Sequence, residues 1–138
     1  MSETVIIRDK GFVADDWTGG FETQEAGRPL GGAGLDLASD ADVTVLAEDL
    51  AQIAMMRIDF PSFADGRGFT LAKRLRDMGY EGRLRAAGHV IADQYAMARR
   101  SGFDEVEISA ELAVRQPEAD WLARADWQSH DYQSRLRG

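Results

Sequence analysis

Cysteine is absent from the 138 residues, and with it go a thiol nucleophile, a dithiol couple, a Cys-ligated iron–sulfur cluster and a zinc ribbon. Any redox role would need a borrowed cofactor. Histidine occurs only twice, as His89 and His130, and two isolated histidines do not make a metal site, so no metal is expected. No segment approaches the ~18 apolar residues of a membrane helix. The N-terminus, MSETVIIRDKG, is charged by its third residue and lacks the apolar run and small-residue cleavage site of a secretory signal. Those absences make the cytoplasm the expected compartment and a membrane an unexpected partner. No Ser/His/Asp order, P-loop or HExxH pattern is present.

What is present is ordinary globular material, 44% hydrophobic and 29% charged, of a length that suits one domain. A single α/β domain over 1–138 is expected, with a hairpin and irregular arm over 1–34, a βα core over 35–112 and a helical or tail segment over 113–138. The net charge of −8 speaks against nucleic acid as a partner. The charge is unevenly spread: residues 1–66 carry 4 basic and 13 acidic side chains, residues 67–100 carry 8 and 3, and residues 101–138 carry 4 and 8. A basic middle third would attract a small anion or an acidic surface, unless its arginines are solvated helix faces paired with local acids.

Thr4 to Arg8, Asp9-Lys10-Gly11 and Phe12-Val13 read as a hairpin with a Gly-containing turn. Asp15 to Gly34 shows no period and reads as a loop or arm. From Leu35 the pattern becomes regular. Strands are expected at 35–37, 54–60, 83–87 and 105–109. Helices are expected after a cap at Ser39 or Asp40 (Val43, Leu46, Ala47, Leu50, Ile53), over 69–78, over 90–100, and after residue 109 with an interruption at Pro117. Strands joined through helices run parallel with right-handed crossovers. The expectation is therefore a mainly parallel sheet of about four strands, either open and doubly wound or like half of a β/α barrel. The half barrel would leave strand edges that a homodimer could cover.

Ligands of such sheets bind beyond the carboxyl ends of the strands, which singles out three loops: Asp59 to Gly68, Gly88 to Asp93, and Ser109 to Glu111. In the first, DFPSFADGRG, Gly66 and Gly68 free the backbone near a helix start and Arg67 offers a planar fork to an oxyanion. The structural alternative has Asp65 capping the helix and Arg67 paired with Asp59 or Asp65. Gly66-x-Gly68 is only a partial dinucleotide fingerprint, since Leu71 stands at the third position, and Gly31-Gly32-Ala33-Gly34 precedes a strand instead of a helix. His89, with Asp93 one turn later, could shuttle a proton or simply cap. Arg83 and Arg85 share a strand face and need a carboxylate or an anion. Trp121, Trp127 and Tyr132 supply aromatic surface near the end of the chain.

The residues Asp59-Phe60-Pro61, Phe63, Asp65-Gly66-Arg67-Gly68-Phe69, Gly82, Leu84-Arg85-Ala86, Gly88, Asp93-Gln94 and Gly102-Phe103-Asp104 resemble the bacterial family catalogued as domain of unknown function 934. The resemblance runs from about Leu46 to Ile108. It implies an accessory protein of assimilatory sulfite reduction acting with the sulfite reductase haemoprotein or its electron donor, with an oxyanion held near Arg67. It equally admits a flavin- or NAD(P)-dependent oxidoreductase supplying electrons for sulfite reduction, and a small-anion-binding module is a third reading. The cofactor is not specified. Where the family tends to carry an acidic residue this chain has His89, which shifts weight to Asp59, Asp65, Arg67, Arg85, Asp93 and Gln94.

Overall fold

The structure, a computed structural model, describes residues 4–23, 33–125 and 127. His130, Tyr132 and Gly31-Gly32 lie outside them. Seven strands form one sheet: β1 (Thr4–Arg8), β2 (Gly11–Val13), β3 (Phe21–Thr23), β4 (Gly34–Leu37), β5 (Met55–Phe60), β6 (Arg83–Gly88) and β7 (Glu105–Ser109), in the order β2-β1-β7-β6-β5-β4-β3. Strands β3 to β7 are parallel neighbours. The β1–β2 hairpin adds antiparallel to the β7 edge. The sheet is thus wider than the four strands expected from periodicity. The parallel order never reverses, so the doubly wound alternative falls and the sequential order of a β/α-barrel segment remains.

The strand missed from periodicity is β3, three residues inside the expected irregular arm. Its place is set by tertiary contacts. Phe21 pairs in register with Gly34, where a Cβ would lie 2.7 Å from the Phe21 ring, and the Arg57 guanidinium stacks over that ring at 3.8 Å. The helix expected after Ser39 or Asp40 is instead two 3₁₀ turns, Val43–Leu46 and Leu50–Gln52, with Asp42 accepting the Thr44 N–H as cap. Its buried residues explain the tighter winding: Val43 and Leu46, then Leu50 and Ile53, are three apart, and a three-residue turn stacks them on one face.

The remaining helices are α1 (Arg67–Asp77), α2 (Tyr95–Ser101), α3 (Ala110–Arg115) and α4 (Glu118–Leu122), with the break before α4 at Pro117 as expected. Alternation along the strands puts Met56, Ile58, Phe60, Leu84, Ala86, Val106 and Ile108 on one face. There they form a single apolar core with Phe69, Leu75, Tyr95, Ala98 and Trp121 of the helices. The opposite face carries Asp36, Arg57, Asp59, Arg83, Arg85, Glu105 and Glu107. Much of the basic middle third is tied down. Arg76, for example, donates to the carbonyls of Tyr80, Gly82 and Gly102 and pairs with Asp104, stitching the end of α1 to the loops. Among the described residues no helix is long and apolar enough to cross a membrane.

Packing separates the two glycines that open α1. A Cβ on Gly68 would lie 2.5 Å from Phe60 Cζ, whereas one on Gly66 meets nothing closer than 3.8 Å. Gly68→Ala should therefore lower the unfolding free energy by about 1–3 kcal/mol through overpacking. Gly66→Ala should cost less than about 1 kcal/mol. Urea unfolding of both variants checks the contrast.

Candidate functional site

The DGRG loop closes on itself. Asp65 accepts the Arg67 backbone N–H at 3.1 Å and the Nε/Nη2 edge of its guanidinium, Nε at 2.9 Å and Nη2 at 2.7 Å. These bonds hold the Asp65 carboxyl far below the usual carboxylate range. One edge of the fork expected to take an oxyanion is thus occupied by the neighbouring aspartate, and the Arg67 side chain is 59% exposed. Gln94 latches the preceding loop, donating to Phe63 O at 2.7 Å while accepting the Ile91 N–H at 3.0 Å. Its part is to hold two loops together.

His89 and Asp93 do not form a relay. The His89 backbone N–H donates to Phe60 O at 2.8 Å and the ring Nδ1 lies 3.3 Å from the same oxygen, while Asp93 pairs with Arg124 at 2.6 Å. His89 lines a cavity of about 200 Å³ with Ser109, Glu111 and Arg115, where Ser109 caps α3 by accepting the Leu112 N–H and Arg115 pairs with Glu111. Asp59, next to the end of β5, is exposed, and its side chain makes no hydrogen bond or ion pair to another described residue.

A larger cleft of about 580 Å³ opens at the carboxyl ends of β4, β5 and β6, on the polar face of the sheet. Asp36, Asp40, Asp59 and Glu107 line it together with Arg57 and the Gly88 backbone. Arg57 is already engaged: Asp36 takes its Nε at 2.6 Å and its Nη2 at 2.9 Å, and Glu107 takes Nη1 at 3.2 Å. The cleft therefore presents surplus negative charge, held by Asp40 and Asp59 at its mouth. Gly88, at φ 112°, lets β6 end against β5, since a Cβ would lie 2.7 Å from Phe60 O and 3.3 Å from an Asp59 carboxylate oxygen.

Deeper in the polar face, Arg85 has 0% side-chain exposure and Glu105 has 1%. Arg85 donates Nε to Glu105 at 2.6 Å and Nη1 to Glu107 at 2.9 Å, and its outer edge meets both oxygens of Asp15 at 2.9 and 3.1 Å. Arg83 and Arg8 also bond Glu105, and both reach Asp16. Burial pushes the Glu105 carboxyl up, but the hydrogen bonds and charge of Arg83 and Arg85 outweigh it and hold the group below its ordinary range. Hydrogen bonds from Arg85 and Arg83 lower Asp15 and Asp16 respectively. No buried side-chain nitrogen or oxygen among the described residues lacks a partner, and no group of three or more His, Asp or Glu among them is placed to hold a metal ion.

Of the residues picked from sequence, Asp59 lines the cleft and Arg85 anchors its floor through Glu107. Asp65, Gly66, Arg67, Gly68, Asp93 and Gln94 serve the loops and helix starts. Asp15, Asp16, Asp36, Asp40, Arg57, Glu105 and Glu107 were missed. A signal was available in the paired charges of Arg83-x-Arg85 and Glu105-x-Glu107, equal in spacing and opposite in sign on adjacent strands, Arg85 opposite Glu105.

Fold and site together define an α/β domain in which, among the described residues, helices cover the apolar face of a seven-stranded sheet and a carboxylate-lined cleft opens on the other. A family model described as a bacterial protein of unknown function (DUF934) matches residues 34–138, and the chain belongs to that family. No curated protein and no solved structure matched it.

Because Glu105, Asp15 and Asp16 bind protons more weakly in the folded protein than in the unfolded chain, their contribution is complete above about pH 5 and is lost as pH falls through and below about 4. Urea midpoints measured from pH 7 to pH 3 should decline accordingly. Glu105→Gln should lower stability at pH 7 by about 1–3 kcal/mol, because it removes the charge that Arg8, Arg83 and Arg85 share while leaving Arg85 its bonds to Glu107 and Asp15, and should flatten that decline.

Proposed function

We propose that this chain is an accessory binding protein of assimilatory sulfite reduction, acting with the sulfite reductase haemoprotein or its electron donor by receiving a basic side chain of that partner in the acidic cleft. The place in sulfur metabolism rests on the family resemblance. The docking chemistry rests on one observation: a cleft lined by four carboxylates against one guanidinium already paired. Such a lining favours an ammonium or guanidinium group, and a net charge of −8 steers a basic surface toward it. Asp65 already takes the Nε/Nη2 edge of Arg67, which leaves an oxyanion only the outer edge of that guanidinium, so it contributes less to this reading. A homodimer would form through an edge strand of the sheet, β3 or β2.

The alternative of a flavin- or NAD(P)-dependent oxidoreductase draws support from the position and volume of the cleft, which suit a cofactor ring. Its carboxylates oppose the cofactor's phosphates, which ranks this reading second. A yellow protein, or one that oxidises NADPH, would move it to first.

Titration calorimetry of the purified chain against the haemoprotein, with and without its electron donor, at low ionic strength should show binding that weakens with salt. Asp40→Lys with Asp59→Lys should weaken it roughly tenfold or more through like-charge repulsion. A reductase that shows no binding at low salt and turns over unchanged without this chain would overturn the proposal.

A further inference from the structure

The segment from Ala14 to Gly20 has no regular structure, yet its two adjacent aspartates close over the most deeply buried cation of the protein. Asp15 takes the outer edge of the Arg85 guanidinium in a two-bond clasp at 2.9 and 3.1 Å. Asp16 Oδ1 gathers Arg83 at 2.9 Å and Arg8 at 3.0 Å. Beneath them, all three arginines converge on Glu105. A carboxylate held edge-on by a guanidinium fork has the geometry in which arginine also binds sulfate or phosphate.

Opening the clasp would leave the apolar core intact. No residue from 14 to 23 belongs to the apolar cluster, and the two aspartates are 35% and 57% exposed while Arg85 beneath is fully covered. With Asp15 and Asp16 lifted away, Arg8, Arg57, Arg83 and Arg85 outnumber Asp36, Glu105 and Glu107, and the sign of the local charge reverses. We propose that Asp15 and Asp16 act as a built-in ligand filling a latent oxyanion site made by Arg8, Arg83 and Arg85, and that a small dianionic oxyanion binds there by displacing them. This site is separate from the acidic cleft and from the Asp65–Arg67 turn, and it stands or falls independently of any reductase partner.

A tethered carboxylate competes at an effective concentration on the order of millimolar, so the native protein binds such an anion weakly and removal of the tethered charge tightens it. Calorimetric titration with sulfate, at ionic strength held constant with chloride, should show affinity rising roughly tenfold or more in Asp15→Asn/Asp16→Asn over the parent. In the unaltered protein, sulfate should speed chymotryptic cleavage after Trp17 and Phe21 relative to chloride of equal ionic strength. Unchanged sulfate affinity in the folded variant, or cleavage that sulfate leaves at the chloride rate, overturns the proposal. Should the variant fail to fold, the cleavage result on the unaltered protein decides alone.

Discussion

Two guanidinium groups face one another on neighbouring strands, Arg57 on β5 and Arg85 on β6, and the polar half of the molecule is organised by the need to keep them apart electrostatically. Like charges directly opposite are destabilising, and a buried cation without a partner costs several kcal/mol. Each arginine therefore requires a carboxylate on its far side. Asp36 on β4 answers Arg57, Glu105 on β7 answers Arg85, and Glu107 is shared between the two. The alternation binds register to charge. A one-residue slip of β6 would turn Arg85 into the apolar core and Leu84 out of it.

That arrangement leaves the sheet with two unlike faces. Aromatic contacts among Phe60, Phe69 and Phe103, with ring centroids 5.0 to 6.5 Å apart, pack the helix side densely around Gly68. Among the described residues the other side is covered by ion pairs and by the segment from Ala14 to Gly20 instead of by helices, so its chemistry remains near solvent at the carboxyl ends of the strands. The family match begins at Gly34. Arg8, Asp15, Asp16 and Phe21, which complete the polar face, come from the part of the chain that precedes it.

Strand positions could be read with little error, because period-two runs bounded by Gly and Pro are local signals: Thr4 to Arg8 and Glu105 to Ser109 agree with the structure residue for residue, and the second hairpin strand differs only in taking in Gly11 from the expected turn. The short strand Phe21–Thr23 carried no such signal, since three residues hold no period and its stability comes from Arg57 and Gly34. For the site, the loops beyond the strands were the right region, yet Asp65 and Arg67 satisfy each other locally. The cleft draws Asp36, Arg57, Asp59 and Glu107 from three different strands, and no spacing along the chain announces that meeting.

Sequence by itself determined the class of the fold, the family and the absence of thiol chemistry, because each follows from composition or from patterns only a few residues long. Tertiary structure alone decided the strand order, the closing of Arg67 onto Asp65, the separation of His89 from Asp93, and the capture of Arg85 by Asp15, seventy positions away along the chain. The physical reason is the range of the forces. Alternation and helix period express local backbone geometry, whereas the choice of partner for a buried charge depends on which strands lie side by side, and only the folded sheet settles that.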